Sequence, residues 1–167
     1  MLHLASLKVF MPKWSDNINE EWIRNLLNNR KDIVRSRLEN TVFHMNLAFK
    51  DANVEKYEKL IPKLSLPDLD DKHVLAVGIK SHADMIFTFN LKDFPKNILA
   101  KYNIEVEHPD DFFIKIIDHH QETFIKAFNN QVANLKNPPK TKSEVLITLE
   151  KCQLPRTTNK LREISIS

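Results

Sequence analysis

Residues 66–95, LPDLDDKHVLAVGIKSHADMIFTFNLKDFP, decide the fold class, because they predict a helix followed closely by a strand. The helix begins at Asp70 or Asp71 and carries the apolar run HVLAVGI. The strand, DMIFTFN, is rich in residues of high β-propensity. In a parallel sheet, the loops after strands and the starts of helices share one edge. Asp71, Asn90 and Asp93 are therefore expected to lie together at that edge.

The carboxylates at both ends of this stretch predict a cation site. Neighbouring carboxylates repel each other unless water or a cation compensates their charge. Hard ions such as Mg²⁺ are bound by a few carboxylates together with water. The alternative is purely structural. Aspartate is favoured at helix starts and in turns, so Asp70 or Asp71 could cap the helix while Asp93 closes a turn.

The composition of the whole chain limits the function classes. The 167 residues, 42% of them apolar, suffice for one domain with an appended helical tail. A net charge of +3 does not by itself indicate a nucleic-acid binder. One cysteine, Cys152, excludes a disulfide framework within the chain, and one glycine argues against Gly-rich phosphate loops. No stretch resembles a membrane helix, so we expect a cytoplasmic protein without a membrane partner.

The order of the predicted elements indicates an α/β fold. Helices and strands alternate up to about residue 108, with further strands predicted in ANVEKY and IEVEHP. The chain is mostly helical from there, with a break at NPPK and a restart capped by Thr141 or Ser143. The final stretch, LPRTTNKLREISIS, predicts no further element. We therefore place a domain at residues 1–108 and a helical extension at 109–167.

The pattern in residues 66–95 resembles the PIN-domain family, and most closely the PIN toxins of bacterial and archaeal toxin–antitoxin pairs. That family has an Asp opening a helix, an Ala-Asp after it, and a strand ending in Thr-x-Asp or Thr-x-Asn. Here these are Asp71 with HVLA, then HAD, then TFN ending at Asn90. The stretch PKWSDNINEEW matches a further family pattern, a helix capped by Ser15 with Glu21 six residues on. The tail resembles the helical extension of one PIN subgroup.

The resemblance implies a PIN-like α/β/α sandwich with a mostly parallel sheet, and Mg²⁺- or Mn²⁺-dependent endoribonuclease activity. Glu21, Asp71 and Asp93 would be the catalytic, metal-coordinating acids. Thr88 and Asn90 would orient the substrate or a water, with Asn90 standing where many members have Asp. The implied chemistry is in-line attack of metal-activated water on an RNA phosphodiester. RNA and an antitoxin protein are the implied partners, and a homodimer is a further possibility.

One departure from the family concerns the start of the chain. PIN domains begin with a central strand that ends in the leading metal-binding Asp, whereas residues 2–7 here predict the end of a helix. We therefore expect an N-terminally truncated PIN-like domain that lacks this strand, and truncation could make it inactive. The alternative function is a non-catalytic PIN-like module that binds an antitoxin-type partner. A generic α/β domain whose acids are only caps is a third hypothesis.

Other residues have a functional and a structural interpretation. Glu21 on a helix is ordinarily a solvated residue. His73 could face the acidic edge, although packing or surface exposure is the default for it. His119 and His120 point about 100° apart on a helix, so they do not converge on one ion. The basic residues of the first third could track an RNA backbone, or form a solvated helix face.

Overall fold

The computed structural model describes residues 1–166, with residues 165 and 166 described through their backbone only. Ser167, the last residue of the predicted extension, lies outside the described residues. The helices are α1 (Leu2–Ser6), α2 (Asp16–Asn29), α3 (Arg35–Ala48), α4 (Lys72–Lys80), α5 (Lys96–Leu99), α6 (Pro109–Asn134), α7 (Lys142–Lys151) and α8 (Pro155–Ile166). The strands are β1 (Met85–Phe87) and β2 (Glu105–Glu107), and short 3₁₀ turns cover Glu58–Lys63, Leu91–Asp93 and Ala100–Tyr102.

Two helix starts follow directly from local sequence. The Ser15 hydroxyl accepts a hydrogen bond of 3.3 Å from the backbone N–H of Ile18, which caps α2 as predicted. Thr141 and Glu144 form a reciprocal capping box at the start of α7, so Thr141 rather than Ser143 is the cap. These side chains satisfy N–H groups that would otherwise lack partners in the first turn.

The sheet is small and parallel. The Glu105 N–H donates to the carbonyl of Asp84, and the Thr88 N–H donates to the carbonyl of Glu107, so both strands run in the same direction. The structure is thus α/β, while the full PIN sandwich stays a prediction. The strand predicted in ANVEKY is wrong: among the described residues it contributes one isolated bridge, between Asn53 and Trp14.

The chain divides into two compact units, of which the first contains the predicted acids. This first unit consists of Pro12–Ile86 and Lys92–Val106. The apolar face of α4 anchors its core, where Leu75 and Ala76 have no exposed surface. A Cβ at Gly78 would lie 3.3 Å from Cδ1 of Ile104, so the missing side chain permits close packing there. The core fixes α4, and α4 in turn positions the loop that precedes it.

The second unit is mainly helical. It consists of Met1–Met11, Phe87–Leu91 and the chain from Glu107 onward. Its core is formed by apolar residues of α1, α6, α7 and α8, with Ile117 and Leu161 almost fully buried. The absence of a final element in our prediction is wrong, because α8 is a helix of 12 residues. The predicted division into residues 1–108 and 109–167 stays a prediction, although Glu107 is where the chain last enters this unit.

Within residues 1–166, no helix combines the length and the apolar character that a membrane crossing requires.

Candidate metal centre

Asp71 stands immediately before α4, at the position of a helix cap. Its backbone carbonyl accepts a hydrogen bond from the N–H of Val74 at 3.0 Å, which begins the helix. Its carboxylate makes no capping hydrogen bond, so the interpretation of Asp71 as a simple capping residue is not supported by its contacts. The half-buried side chain is thereby held at the start of a rigid helix, and its oxygens are left for other partners.

Asp68 and Asp93 bring two further carboxylates to Asp71. One oxygen from each of these three side chains lies within 4.8 Å of the others. Asp68 belongs to the loop before α4, where its Oδ1 accepts a 2.9 Å hydrogen bond from the Asp70 N–H. Asp93 ends the 3₁₀ turn Leu91–Asp93, and it is half-buried. All three belong to the first unit, and we call them the aspartate cluster.

The surroundings of Asp71 in the aspartate cluster disfavour the ionised form of its carboxyl group. Burial, followed by the charges of Asp68, Asp93 and Glu21 in that order of importance, raises the pKa of the Asp71 carboxyl to about 6. His73 acts in the opposite direction. A carboxyl whose charged form is disfavoured in this way gains from a nearby cation. The raised pKa therefore makes Asp71 a candidate functional residue.

Glu21 lies beside the aspartate cluster but not within it. Its carboxylate is close enough to raise the pKa of Asp71, yet it is not among the three converging acids. Instead, Oε2 of Glu21 lies 3.3 Å from Nε2 of His73, which is the second residue of α4. From the sequence, His73 could either face the acidic edge or be a packing or surface residue. The structure places it beside Glu21, with 16% of its side chain exposed.

Thr88 and Asn90 follow β1 and belong to the second unit. The Asn90 N–H donates a 3.0 Å hydrogen bond to the Thr88 hydroxyl oxygen. The hydroxyl proton is not used in this bond, so the hydroxyl keeps the capacity to donate to another group. The substrate-orienting roles of both residues stay predictions.

The donor set fits a hard divalent cation. Carboxylate oxygens are the protein ligands of Mg²⁺ and Mn²⁺, and a few of them with water complete the coordination. The three aspartates meet this requirement, and burial together with the neighbouring negative charges disfavours the ionised form of Asp71 when no cation is bound. Asp68 was not among the predicted site residues, because the PIN motif begins at Asp71. The signal that could have found it is Asp-x-x-Asp directly before a helix.

Known proteins resemble this chain in both sequence and domain content. The model of the VapC50 C-terminal domain matches residues 109–163, which fall within α6, α7 and α8. A curated protein of Mycobacterium tuberculosis (strain ATCC 25618 / H37Rv), named "Putative ribonuclease VapC50", is 35% identical over 94 residues. This chain is similar to VapC50 in both comparisons, which supports a place in the VapC-type PIN toxin family.

The similarity to VapC50 supports the family that the sequence motifs indicated. The aligned residues make up 56% of this chain and 55% of the mycobacterial protein, so the chain spans about half the length of this VapC relative. No solved structure matches this chain. The VapC50 domain match lies in the helical tail, whereas the aspartate cluster lies in the first unit. The roles of the clustered acids therefore rest on their geometry.

Proposed function

We propose that this chain is a divalent-metal-dependent endoribonuclease of the PIN type, acting as the toxin of a toxin–antitoxin pair. The observation that carries the proposal is the convergence of Asp68, Asp71 and Asp93, with one oxygen of each within 4.8 Å of the others. The similarity to the protein named "Putative ribonuclease VapC50" supports RNA as the substrate. The resemblance of the sequence motifs to PIN toxins is what implies an antitoxin as the partner. A homodimer is part of the proposal.

The aspartate cluster would hold Mg²⁺ or Mn²⁺. A bound ion of this kind supplies a water of lowered pKa and neutralises the charge that develops on a phosphoryl group. Asp71 stands at the end of a helix anchored by buried residues, so its carboxylate is presented with little freedom. Asp68 and Asp93 reach the same point from a loop and a turn.

The remaining acid and polar groups would orient water and the RNA substrate. Glu21 adds a fourth negative charge next to Asp71, and it would help to orient ordered water around the cation. In this proposal, Thr88 and Asn90 orient the scissile part of the RNA, through the hydroxyl proton of Thr88 and the side-chain amide of Asn90. The proposed catalytic set is therefore Glu21, Asp71 and Asp93 as predicted from the sequence, with Asp68 added from the structure.

The experiment that tests the proposal compares substitutions of two neighbouring aspartates. Mn²⁺ binding is measured by titration calorimetry, and RNA cleavage is followed with a labelled single-stranded RNA, for the wild type, Asp71→Asn and Asp70→Asn. Asp70 is adjacent to Asp71 but exposed and outside the aspartate cluster, so it is a matched control. We expect Asp71→Asn to lose both metal binding and cleavage, while Asp70→Asn retains both.

Other results separate the remaining hypotheses. Mn²⁺ binding and antitoxin binding without RNA cleavage would contradict the enzyme and favour the non-catalytic interaction module. No Mn²⁺ binding by the folded wild type would leave the acids as structural residues. Cleavage that survives in Asp71→Asn would place the active site elsewhere in the chain.

A further inference from the structure

His73 links α4 to α2 next to the aspartate cluster. Its Nε2 lies 3.3 Å from Oε2 of Glu21, so the two side chains connect the first turn of α4 with the middle of α2. The ring is mostly shielded from water, with 16% of the side chain exposed, whereas the Glu21 side chain is 40% exposed. A nearly buried ring is thus held against a carboxylate that would otherwise sample several rotamers in solvent.

The hydrogen-bonding capacity of the ring favours one tautomer. Nδ1 of His73 is buried and has no hydrogen-bond partner among the described residues. A neutral imidazole has one N–H donor and one acceptor nitrogen. A proton on Nε2 lets the ring donate to Glu21 and leaves a lone pair at the buried Nδ1. The opposite tautomer would bury the N–H of Nδ1 without an acceptor and point the lone pair of Nε2 at the Glu21 carboxylate. Both nitrogens would then be in a less favourable environment.

Glu21 and His73 both influence the pKa of Asp71. The charge of Glu21 disfavours the ionised form of Asp71, and His73 favours it, so both side chains lie within electrostatic reach of the aspartate cluster. Carboxylates around a metal are commonly fixed by hydrogen bonds from a surrounding shell, which keeps them in a productive orientation. His73 occupies such a place with respect to Glu21.

We infer that His73 is a positioning residue, which holds the Glu21 carboxylate in place beside Asp68, Asp71 and Asp93 through an Nε2–H hydrogen bond. This inference rests on the proposed function, because it requires the aspartate cluster to bind a cation. His73 itself is not a catalytic residue in this account, since it acts through Glu21.

The first test measures Mn²⁺ affinity at neutral pH for His73→Leu, His73→Gln and Glu21→Gln. Loss of such an outer hydrogen bond weakens metal binding by about 10–100-fold, which is the effect expected for His73→Leu. His73→Gln keeps an N–H donor and should retain most of the affinity. His82→Asn is the matched control, because it changes an exposed histidine of the same unit to a residue that tolerates the positive φ of 53°.

A double variant distinguishes positioning from a general structural effect. If His73 acts through Glu21, then adding His73→Leu to Glu21→Gln should cause no further loss of Mn²⁺ affinity. Additive losses would overturn the inference, as would an unchanged affinity in His73→Leu when the wild type binds Mn²⁺. Thermal unfolding of each variant establishes that the comparison is made between folded proteins.

A second readout does not depend on metal. The ¹⁵N chemical shifts of the His73 ring in the metal-free protein should show the Nε2–H tautomer, and they should change in Glu21→Gln but not in Asp70→Asn. An Nδ1–H tautomer, or shifts insensitive to Glu21→Gln, would overturn the inferred hydrogen bond. Failure of the wild type to bind Mn²⁺ would overturn the proposed function, and the ring shifts would then decide separately whether the His73–Glu21 pair exists.

Discussion

The carboxylate of Asp110 caps the start of helix α8 through Thr157, 47 positions further along the chain. Oδ1 of Asp110 accepts hydrogen bonds from the Thr157 N–H at 2.8 Å and the Thr157 hydroxyl at 2.6 Å. Oδ2 accepts a third from the Arg156 N–H at 3.0 Å. Burial alone would raise the pKa of Asp110, but these hydrogen bonds outweigh it and lower the pKa.

Asp110→Ala should destabilise the protein strongly. Asp110 and Thr157 are 4% and 1% exposed, so the substitution leaves the buried N–H of Thr157 without its acceptor and removes the short hydrogen bond of the Thr157 hydroxyl. We expect a loss of about 2–4 kcal/mol in the free energy of unfolding, measured by urea denaturation. Asp111→Ala is the control: it removes a solvent-exposed ion pair with Arg156 and should cost less than about 1 kcal/mol. Equal losses would argue against the capping role.

Asp71→Asn should stabilise the protein when metal is absent. The folded pKa of about 6 lies above the unfolded value of about 3.9, so the stabilising contribution of Asp71 is present at low pH. It is lost as the pH rises through about 6, because the ionised form is disfavoured in the folded state. At neutral pH with a chelator, Asp71→Asn should therefore unfold at a higher temperature than the wild type. An equal or lower temperature would contradict a disfavoured charge at Asp71.

Excess Mn²⁺ should reverse the order of the unfolding temperatures, so that the wild type unfolds at a higher temperature than Asp71→Asn. At a concentration of 100 times the dissociation constant, a bound ion contributes about 2.7 kcal/mol, or roughly 5–10 °C in Tm for a chain of this size. The wild type should gain this increase and Asp71→Asn should not. Calorimetric scans with and without Mn²⁺ provide the measurement, and equal shifts in both proteins would place metal binding elsewhere.

The Mn²⁺ affinity of the wild type should fall on acidification. Metal binding requires the ionised Asp71, and a proton competes for a carboxyl whose pKa is about 6. Lowering the pH from about 7 to about 5 reduces the ionised fraction of such a group, and hence the affinity, about tenfold. Titrations at both pH values check this result. An affinity independent of pH over this range would contradict Asp71 as the controlling ligand.

Asp68→Asn should weaken Mn²⁺ binding by at least about tenfold, although the sequence motif did not include this residue. The substitution keeps an Oδ1 atom that can accept from the Asp70 N–H, so the loop before α4 should stay in place. The pKa of Asp71 should also fall, since the charge of Asp68 contributes to raising it. Calorimetry and an NMR titration of the Asp71 carboxyl measure the two effects. A normal affinity would exclude Asp68 from the site.

The sequence by itself determined the features that depend on neighbouring residues. Ser15 and Thr141 cap helices α2 and α7, and the run after Asp71 forms α4, because side-chain and backbone groups a few positions apart satisfy each other. The motif around Asp71 also indicated the family that the similarity to VapC50 supports.

Only the tertiary structure decided which distant groups meet. It brought Asp68 to Asp71 and Asp93, placed His73 against Glu21, and supplied α8 with a cap from Asp110. The predicted strand at ANVEKY failed for the same reason, since β-propensity forms a strand only where a partner strand lies alongside. Long-range contacts depend on how the elements pack, and local periodicity does not encode that packing.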